Sequence, residues 1–176
     1  MEDLKQRASK IRMVVFDVDG VLTNGEIIYS DSGEELKIFN VKDGQGMNML
    51  RTENYITAII TARSSQVVEK RAADLNISNV FQGIKNKLQV LEDLLRIYKL
   101  DYSQVAYVGD DIPDIAAMEK VGLACCPSDA VEKVRKICHF ISSKPGGKGA
   151  VREIADFILE NKNAEVNADL PKVKVV

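Results

Sequence analysis

Acidic residues gather at points where apolar runs end. Met13-Val14-Val15-Phe16 stops at Asp17, with Asp19 two residues on and Gly20 directly after. Val105–Val108 gives way to Gly109-Asp110-Asp111, with Asp114 beyond. Carboxylates this close repel one another unless a positive charge holds them. Clustered aspartate oxygens suit a hard cation such as Mg²⁺. Two other stretches end in reactive polar groups: ITAIITAR brings Thr61 and then Arg63, and IKNKL brings Lys87. One carboxylate can attack phosphorus and form an aspartyl-phosphate. A second can protonate the leaving alkoxide and then take the proton of the attacking water. A hydroxyl and an ammonium group can hold phosphoryl oxygens while charge moves. Asp17, Asp19, Thr61 and Lys87 supply one of each.

Such chemistry needs a scaffold that brings strand ends together. Short apolar strands are expected at Met13–Phe16, Thr57–Ile60, Asn79–Phe81, Val105–Val108, Leu123–Cys125 and Cys138–Ile141. Helical patterns lie between them, at Gly44–Thr52, Ser65–Leu75, Leu88–Tyr98, Ile115–Val121, Ala130–Lys136 and Ala150–Asn161. Leu88, Leu91, Leu94, Leu95 and Tyr98 make the clearest 3.6-residue stripe. The alternation predicts an α/β fold, a single Rossmann-like, doubly wound parallel sheet with all strand C-termini on one edge. Residues 1–161 read as its one domain. Glu26–Ser30 and Glu35–Phe39, joined by Asp31-Ser32-Gly33, break the alternation and predict a β-hairpin flap protruding over residues 26–39. Residues 162–176 have no helical stripe and read as an extended or disordered tail.

The bulk numbers exclude several function classes. With 176 residues the chain has room for one domain and a proper core. Lys+Arg 24 against Asp+Glu 26 gives a net charge of -2, so neither nucleic acid nor an anionic membrane is expected as partner. No apolar run approaches the ~20 residues that span a bilayer. The start, MEDLKQRASK, is charged and lacks an apolar signal core, which predicts a cytoplasmic protein. Cys125, Cys126 and Cys138 are odd in number with two adjacent, so buried thiols are expected and not a disulfide framework. The only histidine, His139, sits in the apolar run ICHFIS and reads as a core or edge residue. No cysteine is followed six positions later by arginine, which argues against a cysteine-based phosphatase loop. Gly147-Lys148-Gly149 is not a Walker loop.

DVDGVLT, IITAR, NKL and VGDDIPD resemble, in order and spacing, the four motifs of the haloacid dehalogenase superfamily of aspartate-nucleophile phosphatases. The resemblance implies Asp17 as nucleophile, Asp19 as general acid/base, and Thr61 and Lys87 on the phosphoryl group. It implies Mg²⁺ held by Asp17, the Asp19 main-chain carbonyl and Asp110, with Asp111 and Asp114 in supporting or water-mediated roles. Most members insert a cap domain. Here Asp19 to Thr61 holds only the flap and one helix, and Thr61 to Lys87 only a helix and a strand, so there is no cap. An isolated subunit would leave its site open to water. A neighbouring subunit would supply the missing wall, with the flap as the natural contact.

From Arg12 to Asp156 the chain resembles the capless 3-deoxy-D-manno-octulosonate 8-phosphate (KDO 8-phosphate) phosphatase family. NVKDGQGMNML, ITARSSQVVEKRA, FQGIKNKL and PGGKGAVREI carry that likeness. It implies a sugar-acid phosphate substrate in lipopolysaccharide precursor synthesis. It also implies a homotetramer with central hairpins, and a late glycine-rich segment over a neighbour's site. It places Asn40, Val41, Lys42, Asp43 and Gly44 along the substrate pocket, and sets Arg63, Arg71 and Lys87, with Asp19 and Asn48, against the substrate. Asn48 stands where several members carry arginine. An amide cannot replace a guanidinium's bidentate grip on a carboxylate, so a nine-carbon ulosonate 9-phosphate is an alternative substrate.

Plainer roles compete for some of these residues. Arg63 and Arg71 could pair with Glu69 or Asp74, Asp43 could be a helix N-cap, and PGGKG could be a linker or, through Gly146, Gly147 and Gly149, a mobile gate. From other classes, a phospho-receiver domain would place its acceptor aspartate after the third strand, where Phe81-Gln82-Gly83 stands. A non-catalytic scaffold would not need the full set of acids, and a mutase would need a cap.

Overall fold

The computed structural model describes residues 3–163, so most of the expected tail, 162–176, lies outside the described residues. In chain order the elements are α1 (Leu4–Ser9), β1 (Met13–Phe16), β2 (Ile28–Tyr29), β3 (Glu35–Leu36), α2 (Val41–Thr52), β4 (Ile56–Ile60), α3 (Gln66–Asp74), β5 (Asn79–Phe81) and α4 (Lys87–Tyr98). There follow β6 (Val105–Val108), α5 (Ile112–Met118), β7 (Leu123–Cys126), α6 (Glu132–Ile137), β8 (Phe140–Ile141) and α7 (Ala150–Glu160).

All four side chains of β1 are buried, as two-sided covering requires of a central parallel strand. Val14 and Phe16 pack into one core with Met47, Leu50, Val68, Ile154 and Ile158, which come from α2, α3 and α7. Met13 and Val15 pack into the opposite core with Leu91, Leu94, Met118 and Val134, from α4, α5 and α6. The sheet is six-stranded, in the order β5-β4-β1-β6-β7-β8, and its paired strands are all parallel. The chain runs from β1 outward through β4 to β5, then returns to lay β6 on β1's other edge. The strand order therefore reverses between β1 and β6, where α/β sheets open a crevice at their C-terminal edge.

Helix α2 starts three residues before its expected beginning. Gly44 and Gly46 hide the pattern in the sequence, yet Gly46 lets α7 approach closely: a Cβ there would lie 3.0 Å from Arg152 Cα. Helix α5 also begins early, because Asp111 and Asp114 form a capping box and Pro113 occupies the first turn. The short α1 was not expected. It is tied down by Arg7, which donates to the Gly122 carbonyl at 2.7 Å.

The flap is present, but its ladder is much shorter than expected: Ile28 pairs with Leu36 and Tyr29 with Glu35. Gly33 takes a positive φ of 83° in its turn, as a hairpin tip of this kind requires. No described helix is long and apolar enough to cross a membrane. His139 stands beside the N-terminal half of β7, where its Nδ1 accepts from the Ala124 N–H at 2.9 Å, well back from the open edge of the sheet.

Candidate active site

Asp17 directly follows β1, Thr61 directly follows β4, and Asp110 lies just past β6, so parallel pairing alone puts them on one edge. Lys87 joins them as the first residue of α4. Asn86 caps that helix by accepting from the Gln89 N–H at 3.2 Å. Asp17, Asp19, Thr61, Arg63, Lys87, Asp110 and Asp111 line one open cleft of about 250 Å³. Gly20 closes its floor, since a Cβ there would strike the Asp110 carboxylate.

Lys87 is almost wholly buried, with 2% of its side chain exposed, and it bridges two acids. Its Nζ lies 2.8 Å from Asp17 Oδ2 and 2.7 Å from Asp114 Oδ1. Burial opposes the ammonium charge, but Asp17 and Asp114 outweigh it and raise the Lys87 pKa. Burial pushes Asp17 up to about 6, with Asp114 adding to the effect and Lys87 opposing it. Asp114 is fully buried and fully engaged. Its Oδ1 also accepts from the Tyr107 hydroxyl at 3.0 Å, and its Oδ2 from the main-chain N–H groups of Asp110 and Asp111. It therefore holds Lys87 and the loop after β6 in place. Asp111 caps α5, accepting from the Ile112 N–H at 2.7 Å.

Asp110 differs from these. Its Oδ1 is buried without a hydrogen-bond partner, in a protein interior where such atoms are rare. Burial first, then Asp17, Asp114 and Asp111, push its pKa up to about 8. Oxygens of Asp17, Asp110 and Asp114 lie within 4.8 Å of one another. With Asp114 committed to Lys87 and Tyr107, Asp17 and Asp110 are left facing one small space that is short of positive charge. An orphaned carboxylate oxygen among repelling acids fits a hard divalent cation with oxygen ligands.

The Asp19 carboxylate stands outside that cluster and belongs to the flap side. Lys37, just past β3, donates to Asp19 Oδ1. Arg63 Nε lies 3.9 Å from Asp19 Oδ2, while Arg63 Nη2 donates to Glu35 at 2.7 Å and to the Tyr29 hydroxyl at 3.4 Å. Neither Glu69 nor Asp74 is the partner of Arg63. Slight burial opposes ionisation of Glu35, but Arg63 and Lys37 outweigh it and lower its pKa. Lys37 was missed in the sequence, and its signal was only the alternation of Glu35, Lys37 and Phe39 along an expected strand.

The other expected binding residues divide. Asn40, Asp43, Gly44 and Arg71 line a second, mostly apolar pocket with Leu22, Phe39 and Met47. Arg71 lies over the Phe39 ring at 5.7 Å and reaches the Asn40 carbonyl at 3.4 Å, so it too pairs with neither acid. Asp43 is not the N-cap of α2. Asn40 is, accepting from the Lys42 N–H at 2.8 Å. Asp43 is buried and instead holds the start of α7, accepting from the N–H groups of Gly149 at 3.1 Å and Arg152 at 2.9 Å. Val41 and Lys42 are exposed at the start of α2. Asn48 does not reach the carboxylates: its Oδ1 accepts from Arg51 at 2.9 Å, on the outer side of α2.

The glycine-rich segment is neither a linker nor a loose gate within its own protomer. Gly146 accepts no side chain, since a Cβ would strike the Gly20 carbonyl, and its N–H donates to Asp129 at 2.9 Å. The Gly147 N–H donates to the Val21 carbonyl at 3.0 Å. These glycines permit close approach of two backbones, and so brace the loop that carries Asp19 and Gly20. Gly146→Ala is expected to cost about 1–3 kcal/mol of stability through forced separation. Its turnover should fall more than its melting temperature alone explains. Thermal melts and phosphate release on the same preparation check this, and unchanged values in both would show that the loop is braced otherwise.

Residues 79–154 match the family described as haloacid dehalogenase-like hydrolase. The chain is 42% identical over 158 residues to the 3-deoxy-D-manno-octulosonate 8-phosphate phosphatase of Yersinia pestis, covering 90% of this chain and 84% of that one. To its counterpart in Salmonella typhi it is 44% identical over 153 residues, covering 87% and 81%. The crystal structure of 3-deoxy-D-manno-octulosonate 8-phosphate phosphatase from Moraxella catarrhalis, in complex with magnesium ion, phosphate ion and KDO, superposes with a TM-score of 0.90 at 40% identity, covering 96% of each chain. Cleft, sheet order and these likenesses agree: the chain belongs to the 3-deoxy-D-manno-octulosonate 8-phosphate phosphatase family of haloacid dehalogenase-like hydrolases.

Proposed function

We propose that this chain hydrolyses KDO 8-phosphate to KDO and inorganic phosphate with Mg²⁺, as a step of lipopolysaccharide precursor synthesis in the cytoplasm. The observation that carries the reading is Asp17 held by Lys87 beside the orphaned Asp110 oxygen, at the open edge of the sheet. Residues 1–161 form the catalytic domain. Asp17, the Asp19 main-chain carbonyl and Asp110 would hold Mg²⁺, which neutralises the acids and polarises a phosphoryl oxygen when bound.

Asp17 attacks phosphorus, and the bond from phosphorus to the sugar oxygen breaks as an aspartyl-phosphate forms. Asp19 gives its proton to the departing alkoxide. It then takes a proton from the water that attacks phosphorus, and the Asp17–phosphorus bond breaks to release phosphate. Thr61 and Lys87 hold phosphoryl oxygens throughout. Arg63 meets the sugar acid from within the cleft, while Arg71, Asn48 and the 40–44 segment lie outside it and would meet a sugar acid only in an assembly that sets them against a neighbour's cleft.

Without a cap, one subunit cannot exclude water from this cleft. The flap exposes Ile27, Ile28, Tyr29, Leu36 and Ile38, with Val41 just beyond. An apolar cluster of this kind marks a contact surface, and a homotetramer joined through its flaps would cover it and wall the sites. A phosphate-release panel of sugar-acid phosphates, run with gel filtration, tests the reading. KDO 8-phosphate should be the best substrate, EDTA should abolish release, and Mg²⁺ should restore it. A nine-carbon ulosonate 9-phosphate turning over faster would instead follow from the amide at Asn48. No release from any member, or a stable aspartyl-phosphate without turnover, would end the phosphatase reading. A fully active monomer would end the shared-site part.

A further inference from the structure

The stretch from Glu35 to Phe39 alternates in strand fashion. Glu35 and Lys37 turn toward the site, where Glu35 meets Arg63 and Lys37 meets Asp19, and Phe39 turns inward to the second pocket, under Arg71. Leu36 and Ile38 turn outward and are 50% and 64% exposed. The flap thus has two working faces, and the inner one carries a cation whose side chain is only 2% exposed. That ammonium is braced by Glu35 at 3.5 Å, and Glu35 is itself held by Arg63. Both Asp19 oxygens therefore face cations, Lys37 on Oδ1 and Arg63 on Oδ2. Asp19 is not among the acids whose oxygens cluster, which are Asp17, Asp110 and Asp114.

We propose that Lys37 is a positioning residue, through which the flap aims the Asp19 carboxylate at the leaving-group oxygen and away from the cation cluster. The inference rests on the phosphatase reading above and adds to it a residue outside the four motifs. Without Lys37 the Asp19 side chain keeps only the long 3.9 Å contact to Arg63 and can turn toward the cation, where it cannot reach the leaving oxygen. The loss would then fall on proton delivery to the departing group and not on phosphoryl binding.

The readout is kcat/KM, which ends at leaving-group departure, for two esters. KDO 8-phosphate expels an alkoxide that needs a proton, while p-nitrophenyl phosphate expels a phenolate that does not. For Lys37→Met, kcat/KM on KDO 8-phosphate should fall on the order of 10²-fold, while p-nitrophenyl phosphate stays within about threefold. Lys37→Arg, which keeps the charge, should recover most of the loss. Equal losses on both esters, in a protein with unchanged melting and gel-filtration behaviour, would overturn the proposal, as would no loss on either. Should Lys37→Met not fold, Glu35→Gln, which removes the brace, should show the same split in smaller measure, and an equal loss there overturns it. Wild-type protein that cleaves neither ester sinks the parent reading; wild-type turnover with an unsplit variant sinks this inference alone.

Discussion

Asp17→Asn is expected to lower phosphate release on the order of 10⁶-fold, the scale of loss when a covalent nucleophile is deleted. The amide keeps the shape of the carboxylate; its one oxygen can accept either from the Val18 N–H, now 2.7 Å from Asp17 Oδ1, or from Lys87, now 2.8 Å from Oδ2, and Lys87 keeps Asp114 as its partner. The fold should therefore survive. One negative charge also leaves a cluster in which burial raises the pKa of both Asp17 and Asp110, with Asp114 adding to the first and Asp17 to the second. The melting temperature of the metal-free variant should match or exceed that of wild type. A neutral amide cannot attack phosphorus, so acid-quenched wild type should trap protein-bound phosphate and the variant none. Turnover within about tenfold of wild type would remove Asp17 from the nucleophile's role, since a bystander carboxylate supplies no such factor.

The parts of this site that were legible in the sequence are those fixed by chain neighbours. Asp17, Thr61 and Asp110 each follow directly or almost directly on an apolar run, so recognising the strand places the residue. Lys87 follows its own cap, Asn86, and was legible in the same way. What sequence could not give depends on contacts across long separations. Asp43 looks like a helix cap beside its own helix, yet it caps α7 more than a hundred residues later. Lys37 is unremarkable until the flap folds back over Asp19. Gly146 and Gly147 read as freedom of movement, whereas they allow two backbones to touch. The start of α2 was missed for a related reason: its glycines serve the packing of α7, not the helix's own propensity.

Lys87→Met is expected to cost both activity and stability, and the two losses can be separated. The side chain is buried between Asp17 and Asp114, and methionine has similar length and no charge. Removing one partner from a buried ionic group leaves uncompensated charge and costs about 3–5 kcal/mol. For a chain of this size that is a fall of roughly 6–20 °C in melting temperature. Asp114 is the harder acid to accommodate, because it is fully buried and shares Oδ1 between Lys87 and Tyr107. Adding Asp114→Asn to Lys87→Met removes one of the two stranded charges. The asparagine oxygen can still accept from the Asp110 and Asp111 N–H groups, and its amide can donate to the Tyr107 hydroxyl. The double variant should therefore melt above Lys87→Met alone, a non-additivity expected of residues in one network. Mg²⁺ should raise the melting temperature of the single variant more than that of wild type, since the cation then supplies positive charge that Lys87 no longer does. Neither device restores the ammonium proposed to hold the phosphoryl oxygens, so turnover should stay low in both variants while stability returns. If the double variant melts no higher than the single one, Lys87 is held by packing and not by its two acids, and the electrostatic account of the site fails.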